Sequence, residues 1–139
     1  MTILFQAHSG VRYLVLLLAL VALLVSLYGF MARRPSGKTE RVIMSTFTAV
    51  LGLQILLGLG LIITGIFYGA LIGHLTMMIL AAVAANGAAS MARKSTDSRR
   101  AHAIRAAGVA LALVLMVGGI MAIGRSPMGS TAPTMTEGS

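Results

Sequence analysis

The chain has 139 residues, of which 58% are hydrophobic and 10% are charged, and its mean hydropathy is +0.94. Soluble domains have an apolar fraction of about one half and carry about a quarter of charged residues, so this composition excludes a soluble globular protein. The formal net charge is +8 and there is no cysteine. The lack of cysteine excludes disulfides, thiolate-bound iron–sulfur clusters and covalently attached c-type haem.

Four apolar runs follow one another along the chain, at residues 11–31, 42–68, 70–91 and 106–124. Each can cross the hydrocarbon core of about 30 Å that about 20 helical residues span. Long runs without strict alternation are helices, because lipid offers no partner for backbone polar groups. The sequence therefore predicts an all-α integral membrane protein: an up-down four-helix bundle over residues 1–125 and a flexible tail over 126–139. We expect helices at about 4–31, 42–68, 70–92 and 99–124, with the first retained rather than cleaved.

The basic residues predict the orientation of the bundle. Nine of the eleven lie between helices 1 and 2 or between helices 3 and 4: Arg33, Arg34, Lys38, Arg41, Arg93, Lys94, Arg99, Arg100 and Arg105. The positive-inside rule makes that side cytoplasmic and places both termini on the periplasmic side of a bacterial inner membrane. Attraction to anionic membrane lipid explains the charge, and we expect no nucleic-acid partner.

Two histidines, His8 and His74, lie at the outer end of helices 1 and 3. Extending helix 1 back through residues 3–10 places each of them about one turn inside that end, at a rise of about 1.5 Å per residue. Helices 1 and 3 are diagonal neighbours in an up-down bundle, so the two imidazoles would approach a planar metal cofactor from opposite faces. Imidazole is the commonest biological metal ligand. This placement predicts haem b with His8 and His74 as axial ligands.

Two arginines, Arg12 and Arg125, also lie near the outer end. An arginine near hydrocarbon is costly and generally has an anionic partner, yet the acids of the chain, Glu40, Asp97 and Glu137, lie in predicted loops and in the tail. A haem propionate or a lipid phosphate would supply the missing charge, and guanidinium geometry suits both. Anchoring at the lipid–water interface is the alternative interpretation for these arginines and for the two histidines.

Other polar residues stand in or beside the predicted spans. We expect Gln54 and Asn86, at depth in helices 2 and 3, to donate interhelical hydrogen bonds, with a quinone carbonyl or a haem edge as the alternative partner. Asp97 or Ser98 would cap helix 4. His102 lies among arginines at the start of that helix, so we expect it to be solvated and assign it no role.

We interpret the methionines and the stripes of small residues as packing residues. His74, Met77 and Met78 are spaced to share a helix face and would suit copper(I), but methionine commonly fills irregular core space, which is the preferred interpretation. Stripes of small residues let helices approach closely, and we favour packing over space for a macrocycle. These stripes comprise Gly52, Gly58, Gly60, Gly65, Gly69, Ala81, Ala85, Ala89, Gly118 and Gly119.

Three segments carry a family resemblance: His8-Ser-Gly-Val-Arg-Tyr13, Leu53-Gln-Ile-Leu-Leu-Gly58 and His74-Leu-Thr-Met-Met78. With them the four helices resemble small four-helix bacterial membrane proteins loosely labelled cytochrome b or cytochrome b561-like. The resemblance implies a bundle and a haem b held by His8 and His74, with Arg12 in the shared motif. The chain departs from that pattern at Gly73, where an acidic residue often stands, and at Gly119-Ile-Met-Ala, which lacks the usual Gly-Ile-Pro.

These features predict a membrane b-type cytochrome that passes electrons between the quinone pool and a partner protein. The predicted spans carry no Asp or Glu for proton-coupled transport and no nucleophile constellation, so we do not expect a catalyst acting alone. The alternative is a cofactor-free accessory or assembly subunit of a larger membrane complex, for example a respiratory one. An electron-transfer protein requires both histidines to point inward, whereas an accessory subunit does not.

Overall fold

The computed structural model describes residues 2–65 and 69–122, and within these ranges it consists of four α-helices without a strand. The helices are α1 (Thr2–Met31), α2 (Lys38–Ile63), α3 (Ala70–Lys94) and α4 (Ser98–Ala122). All four are long and apolar enough to cross a membrane. The predicted all-α four-helix fold is confirmed, and its composition fits an integral membrane protein. The tail at 126–139 lies outside the described residues.

Each helix packs mainly against its two neighbours in the order α1, α2, α3, α4 and back to α1. α1 and α3 therefore face each other diagonally across the core, as predicted for an up-down bundle. We call the end that holds the starts of α1 and α3 the histidine end. The opposite end, with the connections at 32–37 and 95–97, is called the basic end.

Among the four neighbouring helix pairs, packing is most extensive between α3 and α4 and least extensive between α2 and α3. Small side chains explain the close packing of α3 and α4. Gly108 of α4 lies so close to Ala88 of α3 that a Cβ atom at residue 108 would overlap it. Ala81 and Ala85 are fully buried on the same face of α3. These small residues let the two backbones approach closely. The contact between α2 and α3 is looser, and residues of both helices line a cavity inside the bundle at the histidine end.

The ends of α2 differ from the predicted range of 42–68. The helix begins at Lys38 because Gly37 precedes it as the N-cap and the Glu40 carboxylate accepts the Gly37 N–H at 2.8 Å. It ends at Ile63, where Gly65 adopts a φ of 103°, a conformation that interrupts a helix and favours glycine. At α4 the predicted cap is confirmed, since Asp97 Oδ1 accepts the Arg99 N–H at 3.0 Å.

Candidate functional site

The structure brings His8 of α1 and His74 of α3 together across the bundle core. Their ring centroids lie 6.5 Å apart and the ring planes are at 83° to each other. Both side chains are partly buried. The two helices reach this arrangement because each histidine lies within the first two turns of its helix, and the helices are diagonal neighbours. The fold therefore places the two imidazoles at the same depth in the bundle, as expected.

The separation of the two rings suits one metal ion between them. A bond of about 2 Å from the metal to each imidazole nitrogen, with each nitrogen about 1.1 Å from its ring centre, gives about 6 Å between centroids. Both ring planes contain the metal–nitrogen axis in such a site, so a large angle between the planes is compatible with it. A tetrahedral zinc site needs three or four protein ligands, whereas a haem needs only its two axial ones.

His74 has a fixed ring orientation and tautomer. Its Nδ1 lies 2.9 Å from the backbone oxygen of Gly119 on α4. A carbonyl oxygen only accepts, so Nδ1 carries the proton and donates it, which leaves the lone pair of neutral imidazole on Nε2. Metal-binding histidines commonly hold their second nitrogen in this way. The contact prepares Nε2 of His74 to act as a ligand.

His8 is held by α2 at two points. Its imidazole lies over Gly58, where an added Cβ atom would be 3.2 Å from the ring Cε1. Its backbone oxygen accepts a hydrogen bond from Gln54 Nε2 at 2.8 Å. The prediction that Gln54 donates an interhelical hydrogen bond is therefore confirmed. The glycine makes space for the imidazole, so Gly58 serves more than close packing of the helices.

An apolar cavity opens beside the two imidazoles. It encloses about 990 Å³ not occupied by atoms, a volume that includes its open mouth. All four helices contribute to its wall. Among the described residues that line it, the polar ones besides His8 and His74 are Arg12 and Gln54. The described part of the wall thus combines two potential ligands, one cation and one amide with apolar side chains.

Arg12 lies on the cavity wall one turn beyond His8 along α1. Its Nη2 donates to the Tyr13 hydroxyl at 2.9 Å, and its guanidinium lies 4.7 Å from the centre of the Tyr13 ring. The second predicted cation, Arg125, lies outside the described residues. A cationic group therefore flanks the cavity on the side of α1.

The prediction that Asn86 donates an interhelical hydrogen bond is wrong. Its side chain is exposed and donates to the Ala82 backbone oxygen of its own helix at 2.8 Å, so it forms no interhelical bond there. The buried face of α3 is formed by alanines, and Asn86 lies off that face. Met78 lines the cavity with His74 and also packs against Gly119 of α4, whereas Met77 packs against Gly118 and Gly119.

A buried polar cluster at the basic end was not expected from the sequence. His102 and Arg105 are 0% and 2% exposed, so the prediction that this start of α4 is solvated is wrong. The His102 imidazole occupies the space that a side chain at Gly29 would fill, and its Nε2 donates to the Arg34 backbone oxygen at 2.9 Å. Glu40 interacts electrostatically with both residues. The signal available in the sequence was Gly29 in α1, one glycine among large apolar residues.

In comparisons with known proteins, no family model, curated protein or solved structure matches this chain. The resemblance to cytochrome b-like membrane proteins stays a prediction.

Proposed function

We propose that this protein binds one haem b between His8 and His74 and transfers electrons within a membrane. The observation that carries the proposal is the pair of imidazoles, delivered by diagonal helices to one apolar cavity with their centroids 6.5 Å apart. That separation would allow both imidazoles to bind one metal ion. A bound haem b would supply a single iron that alternates between its oxidised and reduced states.

The surrounding residues have distinct roles in this proposal. The Gly119 carbonyl orients the His74 ring and leaves Nε2 free to coordinate. Gln54 ties α2 to the backbone of His8, and Gly58 leaves space for its imidazole. Arg12 offsets the negative charge of a propionate, and the apolar wall excludes water and so influences the reduction potential.

The charge distribution supports a bacterial inner-membrane location with the basic end in the cytoplasm. The residues of the basic end include Arg33, Arg34, Arg99 and Arg100, all of them exposed. The positive-inside rule then places the histidine end and the cavity at the periplasmic side. Electron partners would be lipid-soluble quinones or a larger membrane complex, and anionic lipid would contact the basic end.

The first test is the visible spectrum of the full-length protein, purified in mild detergent from haem-replete cells. We expect a reduced b-type spectrum in the wild type and its loss in His8→Ala and in His74→Ala, because each removes one axial ligand. Thr76→Ala is the matched control: Thr76 is exposed on α3, two residues from His74, and donates only to the Ile72 oxygen of its own helix at 2.8 Å. This control should keep the wild-type spectrum.

The opposite results would discriminate between the two candidate functions. A colourless wild-type protein, or variants that keep the full spectrum, would contradict haem binding at this site. A cofactor-free accessory subunit would then be the better interpretation, and co-purification of membrane subunits would be the next experiment.

A further inference from the structure

The side-chain amide of Gln54 has a defined orientation. Its Nε2 donates to the His8 backbone oxygen at 2.8 Å, and because a carbonyl oxygen only accepts, the nitrogen must be the atom on that side. The amide oxygen Oε1 is therefore turned away from α1. Gln54 is 7% exposed and lines the cavity, and among residues 2–65 and 69–122 no donor reaches its buried Oε1. A buried acceptor without a donor indicates a missing partner.

The cavity extends well beyond the two imidazoles. Along α1 its wall runs from Phe5 to Leu16, a length of about 16 Å at the helical rise per residue. Gln54 lies one turn farther from the histidine end than Gly58, the residue under the His8 ring. The amide oxygen is thus placed to serve a molecule in the deeper part of the cavity, beside rather than between the histidines.

The lining of the deeper part favours an aromatic molecule. Met78 and Met116 are 8% and 2% exposed and contribute to the wall together with Val15 and Leu51. Methionine sulfur makes favourable contacts with aromatic rings. The apolar wall also requires a ligand that dissolves in lipid. The occupant that these contacts select is a lipid-soluble aromatic ring with a hydroxyl group as hydrogen-bond donor.

We propose that the deeper part of the cavity binds the head group of a hydroquinone, with one ring hydroxyl donating to Gln54 Oε1. An oxidised quinone carries only carbonyl acceptors, so Gln54 Oε1 can form a hydrogen bond with the reduced form alone. This inference rests on the proposed function in one respect: the hydroquinone is the form that has electrons to give to a haem. Binding itself needs only the cavity and Gln54.

The test on the wild-type protein compares ligands that differ in their donors. The purified full-length chain in detergent is titrated under anaerobic conditions with a short-chain hydroquinone, its dimethyl ether, the matching quinone and an aliphatic alcohol of similar length. We expect the hydroquinone to bind about five- to tenfold more tightly than the other three, because it alone combines the ring with a donor. Equal dissociation constants for the hydroquinone and its ether, or equally tight binding of the aliphatic alcohol, would overturn the proposal.

A matched pair of variants tests whether Gln54 causes the preference for hydroquinone. Gln54→Met keeps the length of the side chain and removes Oε1, so we expect the dissociation constants of hydroquinone, ether and quinone to converge within about twofold. Asn86→Met is the control, since Asn86 is exposed on α3 and bonds only within its own helix, and it should keep the preference. A preference that persists in Gln54→Met would contradict the role of this amide.

Failure of this inference can be told from failure of the proposed function. Calorimetric binding of hydroquinone is a readout that does not depend on haem. A protein that binds haem without any hydroquinone preference contradicts the inference alone. A colourless protein that retains the preference contradicts the cytochrome proposal and leaves the ligand assignment supported.

Discussion

At the residue scale, Gly119 has two roles: it lets α4 pack closely against α3, and its backbone orients the His74 ring. Its backbone oxygen holds the His74 imidazole at 2.9 Å. An added Cβ atom at this residue would lie 2.7 Å from Met78 Cε and 3.0 Å from Met77 Cβ. The neighbouring Gly118 has room, because the nearest atom to its added Cβ is Met77 Cε at 3.9 Å. The two adjacent glycines therefore provide a matched comparison.

We predict that Gly119→Ala weakens haem binding about 10- to 100-fold, the usual effect of disturbing a residue that orients a metal ligand. The added methyl group pushes α4 away from α3 and moves the carbonyl that holds His74. Gly118→Ala should bind haem like the wild type. The measurement is a spectroscopic titration of the haem-free protein with haem. Equal affinities of the two variants would show that the Gly119 carbonyl does not position the ligand.

The sequence predicted some of these residues and missed others for physical reasons. His8 and His74 could be placed at one level because the rise of a helix and the diagonal neighbours of a bundle are general properties. Asn86 was misplaced because its depth was considered without the phase of the buried alanine face on α3. The hydrogen bond from Gln54 was expected, but the identity of its acceptor depends on the packing of α1 against α2.

At the element scale, His102 joins the start of α4 to the last turn of α1. The imidazole fills the space left by Gly29 and donates to the Arg34 backbone oxygen beyond the end of α1. A second hydrogen bond links the connection between α1 and α2 to the start of α4, because Ser98 Oγ accepts the Ser36 N–H at 2.9 Å. The basic end is therefore a packed region.

We predict that Gly29→Ala destabilises the protein by about 1–3 kcal/mol, because a methyl group here must displace a fully buried ring. Gly52→Ala is the control, since an added Cβ atom there meets nothing within 4 Å, and it should change stability little. Thermal unfolding in detergent measures both. In a His102→Ala background the cost of Gly29→Ala should fall by at least about 1 kcal/mol, as expected for residues in contact. Additive costs would argue against the contact.

Charge patterns explain why this region was misjudged from the sequence. His102 and Arg105 stand among arginines, and such runs usually mark a solvated helix start. The fold instead turns these two side chains inward, where Glu40 of α2 is within electrostatic reach. That neighbour is 62 residues away from His102 along the chain, so local composition does not reveal it. The ends of α2 were missed similarly, because they depend on Gly37 and on the conformation of Gly65.

At the scale of the whole molecule, two unlike ends are joined by an apolar bundle. The histidine end opens into a cavity at the loosely packed side of α2 and α3, and the basic end is closed by buried polar contacts. The fold class followed directly from four long apolar runs. The cavity could not be predicted in the same way, because the closeness with which each helix pair packs depends on tertiary contacts that hydropathy does not reveal.

Binding of one haem between His8 and His74 is tested by the electron paramagnetic resonance spectrum of the oxidised, purified protein. A ferric haem held by both imidazoles would be low-spin, and imidazole planes at 83° to each other would leave two iron d orbitals almost equal in energy. We therefore predict a low-spin signal with large anisotropy. A high-spin signal, which indicates that at least one axial imidazole is absent, or a spectrum without any haem signal would contradict the binding of one haem between His8 and His74.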